Sequence, residues 1–291
     1  MIEYVIDELT ENQRFDKFLQ RKYKQTARAF LYRCMREKKI RLNGKKAAGN
    51  EILKSGDVVA VYVSLPLEEA SAIAETLPID AVFEDENILI ANKPRGLLTQ
   101  PDTPNGDSLS ERAKAYANAD FTPVCANRLD RNTTGLVLIA KNLPAAQALS
   151  LMLKERTIGK YYLAIVHGEI REAFTIDKSL SKDAKQNKAF ADENGKASVT
   201  EVTPISSNGK YSLVEIKLQT GRTHQIRAHL SGAGFPIVGD AKYGAKDSCK
   251  YQLLHCHKVV FNEPGGFLGY LCGKTAECPA PADFYEVLSL K

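Results

Sequence analysis

Apolar positions along the chain change their period several times, and each change marks an element. Phe15, Phe18 and Leu19 recur at helical spacing after Arg14. Ala29, Phe30, Cys34 and Met35 predict the buried face of a second helix, with Thr26 as its N-cap. Ile40, Arg41 and Leu42 form a short strand, Asn43-Gly44 signals a tight turn, and Ser55-Gly56-Asp57 turns into a strand at 58–63. Residues 66–78 carry Pro66, Glu68, Glu69, Glu75 and Pro78 with little apolar periodicity and read as a linker. The expected organisation is therefore a small αβ domain over 1–65 and a larger domain over 79–291.

In the larger domain, 79–85 and 88–94 read as two strands around the turn Asp85-Glu86-Asn87. A loop at 97–107 leads to a helix at 108–116, capped by Asp107 or Ser108. The unbroken apolar run 136–140 reads as a buried strand, and 143–154 as a helix with Pro144 near its start. A strand at 160–166, short strands and loops over the polar stretch 171–198, and paired strands at 199–204 and 211–218 follow. Many strands separated by turns, with helices inserted, predict an α+β fold.

Composition bounds the partners. The chain has 291 residues and a net charge of +5, which alone says little. The distribution says more. Arg21, Lys22, Lys24, Arg28, Arg33, Arg36, Lys38, Lys39, Arg41, Lys45 and Lys46 face a single acid, Glu37, within 21–46. That density suits a surface that contacts a phosphate backbone, with a solvated helix face as the weaker reading. The N-terminus has no basic, apolar leader pattern and no stretch approaches a membrane span, so the protein is expected in the cytoplasm. The six cysteines lack a Cys-x-x-Cys spacing. His255, Cys256, His257, Cys272 and Cys278 invite a zinc reading, but reduced structural thiols fit better, and no metal is expected.

Two stretches carry chemistry. In 127–142 a carboxylate, Asp130, stands between Arg128 and Arg131, followed by Thr133, Thr134 and Gly135 before the apolar run. Flanking guanidiniums favour the ionised carboxylate, and a carboxylate at the mouth of a core strand can serve as a nucleophile. Taken alone, it reads more readily as a turn residue in a local ion pair. In 220–230 two arginines and two histidines lie among few apolar positions. Ile226 and Leu230 at helical spacing predict a short helix packed by one face, with Arg222, Arg227 and His229 directed elsewhere. The plainer reading there is a solvated basic helix end.

Together the two stretches resemble the RluA-type pseudouridine synthases. The family's first signature is close to His-Arg-Leu-Asp-x-x-Thr-Ser-Gly-Leu, followed here by 127–136. Asn127 stands where many members have His, and Thr134 where Ser is usual. The second signature, Gly-Arg-Thr/Ser-His-Gln-Ile/Leu-Arg-x-His, is followed by 221–229. Asn92-Lys93-Pro94-x-Gly96, Lys160-x-Tyr162-x-Ala164, Gly239-Asp240-x-x-Tyr243-Gly244 and Pro281-Ala282-Asp283-Phe284 fall in the family's order. Residues 12–63 are similar to the small RNA-binding domain named after a small-subunit ribosomal protein, which many RluA-type synthases carry.

The resemblance implies a long mixed, mostly antiparallel sheet flanked by helices, with the active cleft across its middle. It implies isomerisation of uridine to pseudouridine in structured RNA, ribosomal or transfer, with base flipping. The reaction adds no atoms, so no cofactor is required. Asp130 would be the catalytic carboxylate, by attack on the ribose, deprotonation of it, or addition to the base. Arg227 would pair with Asp130, and Tyr162 would stack on the uracil and assist proton transfer at carbon 5. Arg128 would enter the RNA stack. Arg222 and His224 would be structural or contact phosphate, and Arg28, Arg33, Arg36, Lys38, Lys39, Arg41, Lys45 and Lys46 would contact RNA. Nothing implies a protein partner, and a monomer is expected. Two competing readings are a non-catalytic RNA-binding factor and an N-glycosidase. The second would need another carboxylate near Asp130, for which Asp240 is the nearest candidate.

Overall fold

The computed structural model describes residues 1–289 except 24–25, 64, 66–77, 104–105, 119–120, 184 and 264. The linker read at 66–78 thus lies, apart from Pro78, outside the described residues. The first 65 residues carry their own sheet: β1 (Ile2–Val5), α1 (Phe15–Lys22), α2 (Arg28–Arg36), β2 (Ile40–Leu42), β3 (Lys45–Lys46) and β4 (Val58–Val61), with strand order β1-β4-β2-β3. Phe15, Phe18 and Leu19 of α1 bury against Leu31, Met35, Ile40 and Val59. Asn43 and Gly44 both take positive φ (50° and 72°), the geometry of the hairpin turn that joins β2 to β3.

Two expectations for α2 are corrected. Its N-cap is Ala27, with no side-chain cap, and Thr26 precedes it. Its buried face is Leu31, Cys34 and Met35 rather than one that includes Ala29, which is exposed. Two residues span about 200° of helix, so Ala29 falls nearly opposite Leu31.

The remainder builds around one large sheet. Its elements are β5 (Ala81–Glu84), β6 (Ile88–Lys93), α3 (Leu109–Arg112), β7 (Val124–Cys125), β8 (Thr134–Ala140), α4 (Leu143–Glu155), β9 (Ile158–His167), β10 (Phe174–Asp177), β11 (Leu180–Asp183), β12 (Lys188–Ala191), β13 (Val199–Ser207), β14 (Tyr211–Leu218), α5 (Gln225–Gly232), β15 (Leu254–Phe261), β16 (Thr275–Glu277) and α6 (Ala282–Ser289). The order is β10-β13-β14-β9-β15-β8-β6-β5, with β16 on β15 and β7 on β8. Strands β11 and β12 form a separate hairpin. Among these pairings only β8 with β15 is parallel. The architecture is α+β, a mixed and mostly antiparallel sheet with helices on it.

Local chemistry explains the boundaries. All seven residues of β8 are buried, because it is an inner strand covered on both faces; hence the unbroken apolar run rather than alternation. Asn142 caps α4 by accepting from Ala145 N at 2.9 Å, and Pro144 sits in its first turn, where no N–H is needed. Of the two candidate caps for α3, Ser108 is the one used, accepting from Glu111 N, while Asp107 pairs with Arg112 at 2.7 Å. Gly135 has φ +105°, and a Cβ there would stand 2.2 Å from the Cys256 carbonyl oxygen. The parallel junction between β8 and β15 therefore requires glycine at this position.

Candidate active site

Asp130 stands on the turn that enters β8, and the segment after β6 holds that turn from beneath. Thr99 Oγ1 donates to Leu129 O at 2.9 Å and accepts from Leu129 N at 3.1 Å. Gly96 N donates to Arg131 O, and Arg131 Nε donates to Gly96 O. Lys93, 0% exposed, spends its three N–H donors on the carbonyls of Pro94, Leu97 and Arg131 at 2.7–3.1 Å. Asn127 ties the start of the turn to β8 by accepting from Leu138 N at 2.8 Å. The Thr134 hydroxyl pairs with His255 Nδ1 at 2.8 Å; His255 Nε2 faces the Cys278 carbonyl, so Thr134 is the donor. Both departures from the family pattern are thus satisfied by local hydrogen bonds.

The expected pairing of Asp130 with its chain neighbours is corrected. Arg131 is turned to Gly96, and Arg128 is exposed. The side chains that reach Asp130 come from the second stretch: Arg227 Nη1 donates to Oδ2 at 2.8 Å, and His224 Nε2 lies 3.7 Å from Oδ1. His224 adopts φ 50° at the start of α5. Its Nδ1 is 3.0 Å from Tyr243 Oη, a hydroxyl that already accepts from Ala189 N and is placed to donate to the ring.

Helix α5 is not a solvated basic end. Ile226 and Leu230 are buried as expected, but Arg227 and His229 are buried too. His229 is fully used, between Thr200 Oγ1 (2.8 Å) and the Lys178 carbonyl (2.9 Å). Gln225 accepts from Thr220 and Arg222 N and donates to Val199 O and Thr200 Oγ1. These bonds lock the helix start against β13 and set the direction in which Arg227 leaves it.

Arg227 is 7% exposed and spans two carboxylates. Its Nε and Nη2 donate to the two oxygens of Asp240 at 2.6 and 2.8 Å, which leaves Nη1 for Asp130. The guanidinium also lies 4.9 Å from the Tyr243 ring centroid. Burial works against its charge, but the hydrogen bonds and charge of Asp240, then Asp130, raise it above its ordinary range. Asp240 is the residue the sequence reading missed as a partner. Its signal was the Gly239-Asp240-x-x-Tyr243 pattern. Both oxygens of Asp240 are committed to Arg227, so it is not a free second acid of the glycosidase kind.

Tyr162 lies on β9 between Ile216 of β14 and Cys256 of β15, 6% exposed. Burial first, then Cys256 and the charge of Asp130, push its phenol well above the ordinary range, so it stays protonated. Burial pushes the Lys93 ammonium down to about 7, with Asp130 acting in the other direction. Asp130, Tyr162, Arg227 and His224 thus share one locale, with Arg128 exposed beside it.

The other sequence-predicted residues lie elsewhere. Arg222 is exposed and donates to Ala197 O. Arg28, Arg33 and Arg36 are on α2, and Lys38, Lys39, Arg41, Lys45 and Lys46 follow it through β2 and β3, all at least partly exposed. Arg28, Arg33 and Arg41 stack on Tyr32, Phe30 and Tyr62, which fixes their guanidinium planes at the surface. The cysteine and histidine cluster is dispersed: His257 pairs with Glu215 and Cys272 faces Asn262 O, away from His255 and Cys278. Among the described residues, no three His, Cys, Asp or Glu side chains group to hold a metal ion.

Residues 87–232 match the RNA pseudouridylate synthase family, a span that contains Asp130, Tyr162 and Arg227 but not Asp240. Over 99% of this chain and 97% of the relative, the sequence is 31% identical to an uncharacterized RNA pseudouridine synthase of Bacillus subtilis (strain 168). It is also 31% identical, over 94% of each chain, to the ribosomal large subunit pseudouridine synthase C of Rickettsia prowazekii (strain Madrid E). Among solved structures, human RNA pseudouridylate synthase domain containing 4 superposes with a TM-score of 0.58 at 25% identity, covering 72% of this chain and 91% of that one. A fold and a sequence that agree over most of the chain place this protein among the RNA pseudouridine synthases, isomerases that convert uridine to pseudouridine in RNA.

Proposed function

We propose that this protein isomerises specific uridines of structured ribosomal RNA, with Asp130 as the catalytic carboxylate. The observation that carries the reading is the placement of Asp130: a carboxylate on a turn braced by Lys93, Thr99 and Gly96, with Arg227 donating to one oxygen and the other facing His224. Relatives named as ribosomal large subunit pseudouridine synthases C and D support ribosomal RNA as the substrate class.

The chemistry breaks the bond from ribose to uracil nitrogen 1, turns the base and joins it through carbon 5; the carbon 5 proton is lost to solvent and nitrogen 1 takes up a proton in its place. The target nucleotide flips out of its stack, Arg128 fills the gap, and the uracil stacks on Tyr162. The protonated phenol is suited to donate a hydrogen bond to the detached uracil while the base turns. Arg227 keeps Asp130 aimed at the reacting nucleotide throughout. No cofactor enters the scheme. Residues 1–65 act as a separate RNA-binding domain, its cationic side chains from Arg28 to Lys46 contacting phosphates, so that affinity comes from backbone and shape more than from sequence.

The test is tritium release from RNA labelled at uracil carbon 5, using ribosomal and transfer RNA from cells that lack the gene. Wild type should release tritium from the ribosomal pool, and Asp130→Ala should release none while still binding that RNA. Turnover by Asp130→Ala would remove Asp130 from the mechanism, and release from transfer RNA alone would overturn the substrate class.

A further inference from the structure

We infer that Tyr251, with Lys250 and Arg95 beside its ring, is a second base platform, on which a nucleotide flanking the flipped uridine stacks while the two cations hold its phosphates. The inference rests on the reading of Asp130 as the catalytic carboxylate, which brings the RNA to this turn, and extends it to residues outside both signatures.

Two sets of contacts fix the platform beside Asp130. Gln252, next to Tyr251 in the chain, is buried and donates from Nε2 to Thr133 Oγ1 at 3.4 Å, on the same turn as Asp130. Gly96, next to Arg95, exchanges hydrogen bonds with Arg131 at 3.0 and 3.1 Å. Tyr251 and Arg95 thus reach the rim of the site from two segments, the loop before β15 and the turn after β6. The Tyr251 carbonyl lies so close to Gly239 that a Cβ there would stand 2.0 Å from it, so the backbone that carries the ring is tightly packed.

The ring itself is half-buried, and its hydroxyl has no protein partner among the described residues. Lys250 Nζ lies 5.3 Å from the ring centroid and Arg95 Cζ 5.6 Å. Tyrosines that serve the core, such as Tyr23 and Tyr243, tie their hydroxyls to neighbours instead. Stacking needs the face of a ring and not its hydroxyl, and every base has a face to offer. The target uracil is read as stacking on Tyr162, deep in the sheet. A strand that delivers one flipped nucleotide continues over the rim, where Tyr251 meets the next base and the cations meet the connecting phosphates.

Both cations have capacity left for a phosphate. Arg95 Nη1 donates to Asp283 Oδ2 at the start of α6, but Arg95 Nε and Nη2 and Asp283 Oδ1 are buried without partners. A two-bond fork is the favoured geometry for such a pair, and buried N–H groups left unpaired are costly. The two side chains are 25% and 36% exposed, so the pair stands at the surface. A turn of the guanidinium on RNA binding presents its unused donors to a phosphate oxygen. Lys250 is exposed and pairs with no carboxylate among the described residues.

The chain contains no tryptophan, so Tyr251→Trp introduces a single indole at the platform. Combined with Asp130→Ala, which is expected to bind without turnover, that indole should be quenched by ribosomal RNA as a base stacks on it. RNA retained on a filter with the double variant but leaving its fluorescence unchanged would overturn the inference. Tyr251→Leu keeps an apolar side chain but no stacking face. With tritiated ribosomal RNA its kcat/KM should fall about 5- to 100-fold, the loss of one stacked base, and Tyr251→Phe, which keeps the ring, should recover most of that loss. A Tyr251→Leu protein that melts like wild type and retains full kcat/KM would also overturn it. Lys250→Gln and Arg95→Gln should each reduce the log-log salt slope of RNA binding by slightly less than one. Wild-type slopes in both would remove the phosphate contacts and the inference with them. Asp130→Ala with Tyr251 intact reports separately on the catalytic carboxylate: turnover there removes the underlying reading, whereas an inactive Asp130→Ala beside an unquenched tryptophan removes only this one.

Discussion

Arg227 Nη1 lies 2.8 Å from Asp130 Oδ2 although 97 positions separate the two residues. A single ammonium cannot reproduce that bond and the fork to Asp240 together, because it is a point donor on a flexible stem. Arg227→Lys should therefore lower kcat by about 100-fold while the protein still binds RNA. Arg227→Met leaves both carboxylates without their cation, and thermal melting should show a loss on the order of 3 kcal/mol. Single-turnover rates beside a melting curve separate the two effects.

Tyr162 offers a ring and a hydroxyl, and the two are separable. Tyr162→Phe should keep RNA affinity and lower the single-turnover rate, because the face remains and the donor is lost. Tyr162→Leu should lower the rate further, since stacking goes as well. Equal rates for wild type and Tyr162→Phe would remove the hydroxyl from the mechanism.

Gly135 should not accept a side chain. Alanine there would meet the Cys256 carbonyl at 2.2 Å and would also be held at φ +105°. The β8–β15 junction would have to open, and Gly135→Ala should destabilise the fold by roughly 3 kcal/mol or more. A urea melt within about 0.5 kcal/mol of wild type would show that the junction yields easily.

Lys93 makes stability depend on pH. Burial pushes its ammonium down to about 7, from an ordinary 10.5. Between those values the unfolded chain holds the proton and the folded chain does not, so folded stability rises with pH through that window. Below about 7 both states are protonated and the contribution is flat. Lys93→Met removes it. From pH 7 to 9.5 wild type should gain at least about 1 kcal/mol over Lys93→Met in urea unfolding. Parallel pH dependences would mean that the three carbonyl bonds keep the ammonium protonated across the range.

The cationic surface of the N-terminal unit should act on affinity and not on chemistry. Neutralising Lys38, Lys39 and Arg41 to Gln should weaken ribosomal RNA binding and reduce its log-log salt slope by roughly 2 to 3, because each of the three cations that meets a phosphate contributes slightly less than one to that slope. The rate at saturating RNA should not move. An unchanged salt slope would place the RNA on another face.

Much of this was legible in local pattern. The run 136–140 had to be an inner strand because it never alternates, and Asn43-Gly44 had to be a hairpin turn because both positions take positive φ. The helix faces were less legible. α2 turns Leu31 inward and Ala29 outward: Leu31, Cys34 and Met35 keep the i, i+3, i+4 spacing of one helix face, and the reading that put Ala29 on that face departed from it. The chemistry divided in the same way. Local pattern set Asp130 between Arg128 and Arg131, which stood nearest in the chain; it was the resemblance that paired Asp130 with Arg227, and nothing in the sequence paired Arg227 with Asp240.

Local sequence was enough for many of the elements, for the Asn43-Gly44 turn and the Pro144 helix start, and for the two stretches from which the candidate active site is drawn, because those depend on interactions within a few residues; the α2 cap, β1 and α6 were not among them. That Arg227 also forks onto Asp240, and that His224 closes on Asp130, was settled by the packed fold alone. The strand order β14-β9-β15-β8 and the parallel contact at Gly135 set the sheet on which the Asp130 turn, Tyr162 and the α5 end converge, while Asp240 joins from the loop before β15. A buried guanidinium is tolerated only where carboxylates are brought to its donors, here the buried Asp240 and the partly exposed Asp130, and that condition belongs to the packed fold rather than to any local stretch of the chain.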